Sequence, residues 1–470
     1  MASTQNNASS HDASHGSGHG SDCSSGRKKK PELNADYLIQ QLSQYAQQYN
    51  IKTWCLAYSG GVDSQVLLHL LHLTQFNVSA VYIDHGLQAQ STDWAEHCQQ
   101  QCGILKIPFQ VIKVDGRAKQ GESPEAAARV ARYAALKSLI QTDSCLLTAQ
   151  HQDDQGETVL LQLLRGAGAA GLAGMPGIAK FASGWHARPL LNISQKKMLD
   201  YAQAQHLSWV EDPTNQHVNF DRNYLRHSVI PKVIERWPAL NKTLSVFAQQ
   251  QAENVELLNQ LAQQDLTLAL FEHNVLEINQ LNKMHDARLR NVLRYWFKTV
   301  KSPLPSRAVL EQIVEQIKTT SHDSALRVSW AGCEVRRFRD RLYWLKKIKH
   351  DASQVYHWNI NEVLFLSSIE QNLSFKKVKT DEKNILFVLK PFVNEKAVSV
   401  RFRQGGEKIK PAGRNASHDL KSLFQEASVP AWQRDRVPLL FVDDDLVAVV
   451  GYWLADDYAQ KGEGFLPVSE

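Results

Sequence analysis

From about Asn34 to Tyr224 the chain alternates short apolar runs with longer stretches in which apolar residues recur at helical spacing. Residues 53–58, 77–83, 109–114 and 144–148 are expected as buried strands, and residues 65–73, 92–102, 124–140 and 155–164 as helices. Strands alternating with helices predict the α/β class, here a doubly wound parallel sheet. In such a sheet ligands gather at the carboxyl ends of the strands. Three polar segments fall at such ends: residues 59–64, Asp84-His85-Gly86, and the stretch that begins at His151.

Further on the pattern changes. Residues 166–177 hold five glycines and one proline and are expected as a loop. Residues 231–320 keep helical spacing, with Gln, Leu, Ala and Asn dominant and few strand signals, which predicts a mainly helical middle domain. Residues 327–344 are expected as a hairpin with a basic tip. Residues 346–395, rich in Lys, Asn and Ser, read as a connection. Residues 398–458 are compact again, with strands at 439–442 and 446–450 and a helix near 420–427, a small mixed α/β domain. The expected division is a disordered tail at 1–34, a catalytic domain at 35–235, the middle domain at 236–350, a connection at 351–390 and a C-terminal domain at 391–470.

With 470 residues and 43% hydrophobic content the chain can bury more than one core. A net charge of +5 suits a polyanionic partner without requiring one. No apolar run is long enough for a membrane helix, and the first residues lack the apolar segment of a secretion signal. Residues 1–26, rich in Ser, Gly, His and Asn and followed by Arg27-Lys28-Lys29-Lys30, are read as a solvated tail. The six cysteines are Cys23, Cys55, Cys98, Cys102, Cys145 and Cys333, with no Cys-x-x-Cys among them. Cys98 and Cys102 lie one helical turn apart but lack further ligands at metal-binding spacing. Packed thiols and a cytoplasmic location are expected.

The segment Ser59-Gly60-Gly61-Val62-Asp63-Ser64 joins a strand to a helix through a Gly-Gly turn. Backbone N–H groups of such a loop point at an anion, and the helix dipole favours negative charge there. Ser59 and Ser64 add hydroxyls. Asp63 beside a phosphate is repulsive unless a cation lies between them, which argues for Mg²⁺. No Gly-Lys-Ser/Thr follows, so this is not a Walker A loop. It resembles the PP-loop of the N-type ATP pyrophosphatases, which cleave ATP between the α- and β-phosphates. A Ser/Gly turn that merely caps a helix is the plain alternative.

The second motif is His151-Gln152-Asp153-Asp154-Gln155-Gly156-Glu157-Thr158. Asp154 and Glu157 are spaced to share a helix face. A capping box explains one carboxylate but not three with a histidine. Clustered carboxylates at the phosphate end of the sheet suit Mg²⁺ ligation or a base for an amine. Arg129 and Arg132 share a face of one expected helix, and Arg222 and Arg226 form a similar pair; phosphate contact and plain solvation are the competing readings. Asp84 suits a nucleotide ribose or adenine, or a turn cap. His85 and His151 are open to a structural reading. Arg336, Arg337, Arg339 and Arg341 alternate along an apparent strand with Phe338, Tyr343 and Trp344 nearby, which suits RNA or a solvated strand face equally. Arg401, Arg403, Lys408, Lys410 and Lys421 raise the same question.

Taken in order, the loop at 59–64, Ile83-Asp84-His85-Gly86-Leu87, Glu125-x-x-Ala128-Arg129-x-x-Arg132-Tyr133, His151-x-x-Asp154 with Glu157-Thr158, Trp209-x-Glu211-Asp212-Pro213-Thr214-Asn215 and Arg222-Asn223-x-x-Arg226 resemble the tRNA(Ile)-lysidine synthases. Arg401-Phe402-Arg403-x-Gly405-Gly406-x-x-Ile409 and Leu420-Lys421-x-x-Phe424-Gln425-x-x-x-Val429-Pro430 extend the likeness toward residue 460. The resemblance implies ligation of free L-lysine to C2 of the wobble cytidine in an isoleucine tRNA with a CAU anticodon. ATP first adenylates the base, and AMP and diphosphate are released; the codon read changes from AUG to AUA. It implies ATP contacts at Ser59, Gly60, Gly61, Val62, Asp63, Ser64 and Asp84, and catalytic roles for Asp63, Asp154 and Glu157. Asp63, Asp153 and Asp154 become candidate Mg²⁺ ligands. Arg129, Arg132, His151, Arg222 and Arg226 become substrate or phosphate contacts. No membrane partner is implied, and a homodimer is left open. The rivals are a tRNA sulfur-transferase, which would need reactive cysteines, and a non-catalytic tRNA-binding protein.

Overall fold

The computed structural model describes residues 32–86, 91–117, 124–213, 220–319, 326–348, 350–380, 386–391 and 397–469. The basic run at 27–30 and the motif residues Leu87, Thr214 and Asn215 lie outside the described residues. The chain divides into two compact units, Met1–Leu257 and Leu258–Glu470.

The first unit opens with α1 (Ala35–Tyr49), whose first turn is capped by the Asn34 side chain accepting the Tyr37 N–H. Then β1 (Thr53–Ala57), α2 (Val62–His72), β2 (Asn77–Asp84), α3 (Ser91–Ile104), β3 (Phe109–Lys113), α4 (Pro124–Leu139), β4 (Ser144–Leu147) and α5 (Gln152–Leu164) follow the predicted alternation. The sheet is completed by a hairpin the sequence did not reveal. After the short helix α6 (Ala169–Leu172), inside the expected glycine loop, come β5 (Ile178–Phe181) and β6 (Gly184–Ala187). The order is β3-β2-β1-β4-β6-β5, parallel throughout except for the β5–β6 pair. β1 shows why Trp54–Ala57 are apolar at every step: Trp54 and Leu56 enter the core under α2 and α3, while Cys55 and Ala57 face a second core with Leu136 of α4 and Ile140 just after it. α7 (Gln195–Ala204), α8 (Asp221–Tyr224), a π-helical turn (Leu225–Val229) and α9 (Ile230–Arg236) lead to the long α10 (Leu240–Ala269), which continues past Leu257.

The second unit differs from expectation in two places. Its first part holds α11 (Ile278–Asn282), α12 (Asp286–Thr299) and α13 (Arg307–Thr319), but these pack on a five-stranded sheet of β7 (Leu270–Glu272), β8 (Val275–Glu277), β9 (Arg327–Trp330), β10 (Cys333–Phe338) and β11 (Arg341–Lys346). β7 and β8 have three residues each, too few for a two-residue period to register. The expected hairpin at 327–344 is three strands, because Ala331-Gly332 makes an earlier turn with both residues at positive φ. The expected connection is not a linker. It supplies β12 (Tyr356–His357), β13 (Leu364–Leu366), β14 (Gln371–Lys379) and β15 (Val388–Leu389), and Leu373–Lys379 of β14 pair with the final strand, Glu463–Ser469. Exposed Lys376, Lys377 and Lys379 make β14 read as polar. The predicted strands at Leu439–Val442 and Asp445–Val449 and the helix Leu420–Glu426 are present. Among the described residues no helix is long and apolar enough to cross a membrane.

Two expectations test this packing. A Cβ on buried Gly184 would lie 2.2 Å from the Gln141 carbonyl oxygen and 2.3 Å from that of Ser144, so the backbone must move. Gly184→Ala should destabilise the first unit by about 3 kcal/mol, read from its denaturant midpoint. Burial pushes the Cys55 thiol up to about 11 and those of Cys98, Cys102 and Cys145 to about 12. These four thiols should resist iodoacetamide in the native protein at mildly alkaline pH and react only after denaturation, followed by mass spectrometry.

Candidate active site

β1 lies between β2 and β4, and the winding direction of the sheet reverses there. The loops after β1 and β4 therefore border one crevice. After β1, Gly60 adopts φ +80, and a Cβ at that position would come within 2.9 Å of Val210 Cγ2 and 3.0 Å of Cys98 Sγ. Only glycine satisfies both the dihedral and the space. The Gly60 carbonyl accepts the Val210 N–H at 2.9 Å, which lays residues 209–213 along the loop. Ser64 Oγ donates to the Gly61 carbonyl at 2.9 Å and lies 3.2 Å from Ser59 Oγ. Gly61 caps α2 without a side chain, so the N–H groups of the first turn at Val62 and Asp63 are left to a ligand. Asp63 Oδ1 is buried with no hydrogen-bond partner among the described residues.

After β4, His151 is the N-cap of α5 and is 1% exposed. Its Nδ1 accepts the Asp153 N–H at 3.2 Å, and Asp154 Oδ2 accepts the His151 N–H at 3.1 Å, closing a capping box. His151 Nε2 faces Asp154 Oδ2 at 3.4 Å and Asp63 Oδ2 at 3.6 Å, bridging the two loops. Burial opposes charge on this ring, but the Asp153, Asp63 and Asp154 carboxylates outweigh it and push its pKa up to about 10. Charging the ring through Nδ1 would cost the cap bond.

Asp154 and Glu157 are buried at 9% and 3% exposure and are held by two arginines. Arg222 donates to Glu157 Oε2 at 2.7 Å and to Asp154 Oδ1 at 2.9 Å. Arg226 donates to Glu157 Oε1 at 2.5 Å, Glu157 Oε2 at 2.9 Å and Asp154 Oδ1 at 3.0 Å. The π-helical turn at Leu225–Val229 follows directly on α8 and carries Arg226; such turns recur at functional sites. The structure joins these four side chains to one another.

Asp153, the third candidate metal ligand, has both oxygens hydrogen-bonded: Oδ2 accepts the Gln195 N–H at 2.8 Å and Oδ1 accepts Asn241 Nδ2 at 2.5 Å. Asp84 Oδ1 accepts the Gly86 N–H at 2.9 Å, the turn-cap arrangement. Arg132 donates to His85 Nε2 at 3.0 and 3.2 Å, while Arg129 lies 4.9 Å over the Tyr133 ring. Their contacts are with these rings and not with the acidic cluster.

The sequence alone did not mark His186, inside β6, or Arg188, which follows it. Arg188 Nη2 donates to His186 Nδ1 at 3.3 Å, and His186 Nε2 lies 2.8 Å from Thr148 Oγ1 at the end of β4. Burial, then Arg188 and Arg129, push the His186 pKa down to about 3, so the ring is neutral with its proton on Nε2. No motif marks either residue. Among the described residues no group of three or more His, Cys, Asp and Glu gathers as a metal site.

The basic residues of the second unit are largely paired. Arg336 and Arg337 are adjacent and face opposite sides of β10. Arg336 binds Glu334 at 2.6 Å and lies 5.2 Å over Trp432, whereas Arg337 is buried and donates to the Arg339 carbonyl. Arg339 is in the turn at φ 54, and Arg341 lies over Phe271. Arg401, Arg403, Lys408 and Lys410 face Asp444, Asp435, Asp419 and Asp456 respectively. Lys421 is exposed.

Comparison with known proteins bears on the whole chain. Residues 34–233 match a PP-loop domain model, residues 276–343 the TilS substrate binding domain and residues 398–466 the TilS substrate C-terminal domain. The chain is 42% identical to the tRNA(Ile)-lysidine synthase of Coxiella burnetii, over 87% of this chain and 91% of that one. It is 36% identical to that of Methylococcus capsulatus, over 87% and 94%. It is 37% identical to that of Alkalilimnicola ehrlichii, over 92% and 96%. With a PP-loop at the switch point of its sheet and this identity over most of its length, the chain belongs to the tRNA(Ile)-lysidine synthase family.

Proposed function

We propose that the crevice between the loops after β1 and β4 makes lysidine in two steps. The C2 oxygen of the wobble cytidine in a CAU-anticodon isoleucine tRNA attacks the α-phosphorus of ATP, and diphosphate leaves. The side-chain amine of free L-lysine then attacks C2, AMP departs with the former C2 oxygen, and a base takes the amine proton. The observation that carries this reading is the meeting of a phosphate loop with the Asp154–Glu157 pair at one sheet end, bridged by His151.

The loop N–H groups and the Ser59 and Ser64 hydroxyls would hold the phosphates that become the leaving group. The residues present fit Mg²⁺: the orphaned, buried Asp63 Oδ1 is a hard oxygen donor beside a loop that lacks a lysine. Mg²⁺ usually takes one or two carboxylates and completes its shell with phosphates and water, which agrees with the lack of a larger ligand cage. When bound it would offset charge building on the departing diphosphate. Asp153 is left out of this set, because its oxygens anchor Gln195 and Asn241.

Asp154 and Glu157 would receive the lysine ammonium and take up its proton. Arg222 and Arg226 orient them until substrate arrives. An arginine drawn to the phosphate of the adenylated base would release carboxylate oxygens for the ammonium, so the first step would prepare the second. The reaction places the protein in the cytoplasm with its tRNA.

Asp63→Asn should lower tRNA-dependent ATP–pyrophosphate exchange about 100-fold. Exchange at the wild-type rate would reduce Asp63 to a helix-capping role. Glu157→Gln should lower transfer of labelled lysine to tRNA about 100-fold while ATP–pyrophosphate exchange persists. Equal loss of both reactions, with an unchanged melting curve, would refute the division of labour.

A further inference from the structure

Asp153 is the carboxylate of the acidic cluster that neither step uses, and its partners give it a different task. Its Oδ1 accepts Asn241 Nδ2 at 2.5 Å, and Asn241 lies in the first turn of α10. The same asparagine packs on bare backbone between Asp154 and Glu157. A Cβ on Gly156 would lie 2.8 Å from Asn241 Oδ1, 3.5 Å from its Cγ and 3.6 Å from its Cα. Asn241 Oδ1 is buried without a hydrogen-bond partner, an unfavourable placement that persists where geometry demands it. α10 thus grips α5 twice, through a hydrogen bond just before the reacting carboxylates and through a glycine contact between them.

We infer that Asn241 is a positioning residue for lysine transfer: through Asp153 and Gly156 it sets Asp154 and Glu157 against the phosphate loop. This rests on the assignment of those two carboxylates to lysine. Asn241→Asp sets two carboxylates against each other and should lower kcat for lysine transfer and raise the lysine KM, together about tenfold or more, because small misplacements of reacting groups are costly. ATP affinity should stay within about twofold, since the loop at 59–64 that would hold its phosphates is shaped by Ser59, Gly60 and Ser64 and not by Asn241. The exchanged pair Asp153→Asn with Asn241→Asp restores one amide–carboxylate bond: the new amide oxygen can accept the Gln195 N–H while its nitrogen donates to the new carboxylate. It should recover most of the lost activity. Gly156→Ala, which pushes Asn241 away without altering charge, should give the same split between lysine kinetics and ATP affinity. Wild-type lysine kinetics in Asn241→Asp, or an exchanged pair no better than its single members, would overturn the inference. Glu157→Gln run alongside separates the two readings: its failure with normal Asn241→Asp overturns the positioning role alone. Should Asn241→Asp melt early, the exchanged pair and Gly156→Ala decide the matter by the same kinetics.

Discussion

Four charged side chains, two of them almost wholly withdrawn from water, hold the reacting end of this protein in shape. Asp154 and Glu157 share Arg222 and Arg226, so each carboxylate has two guanidinium partners and the cluster is neutral. Burying such charges is costly, and close hydrogen-bonded geometry offsets the cost only when every partner is present; loss of one from a buried pair costs about 3–5 kcal/mol. The arrangement therefore constrains everything that brings α5 and the Arg222–Arg226 segment together: the capping box at His151, the π-helical turn, and the seat of α10 on Gly156. It also explains how a site can hold two acids near triphosphate-binding backbone without repelling the nucleotide.

The phosphate loop works under the complementary constraint. It has no lysine, so its positive potential comes from backbone N–H groups and the helix end, and Asp63 Oδ1 is buried beside it without a hydrogen-bond partner among the described residues. His151 stands between Asp63 and Asp154, so the anion loop and the start of α5 share one buried ring. A displacement of α5 is thereby felt by both.

The second unit presents basic residues in a different state. Arg403, Lys410 and others already face acidic neighbours at the surface. Exposed pairs of this kind contribute about 0–1 kcal/mol, so a phosphate can replace the acidic partner at little cost. Pairing in the free protein is thus compatible with the substrate-binding domain matches of this region. Trp432 is held among Phe338, Tyr343 and Arg336, which makes the basic, aromatic strand face part of the packing of this unit as well as part of its surface.

The sequence alone determined the alternation that builds the catalytic sheet, because strands covered on both faces are apolar at every position and their helices carry a clear period. It also marked the Gly60 turn and the carboxylates at Asp154 and Glu157, whose chemistry is local. It did not reveal β5, β6 or the three-residue strands β7 and β8, which are too short for a period to register, or the strands of the supposed connection, such as β14 with its exposed lysines. It did not show that Asp153 bonds Gln195 and Asn241, because spacing cannot tell which way a carboxylate near a helix start turns. Only the tertiary structure paired Arg222 and Arg226 with those acids, set β4 beside β1, and seated Asn241 on Gly156. Those contacts join residues far apart in the chain, and they are fixed by sheet order and helix packing, which no local pattern encodes.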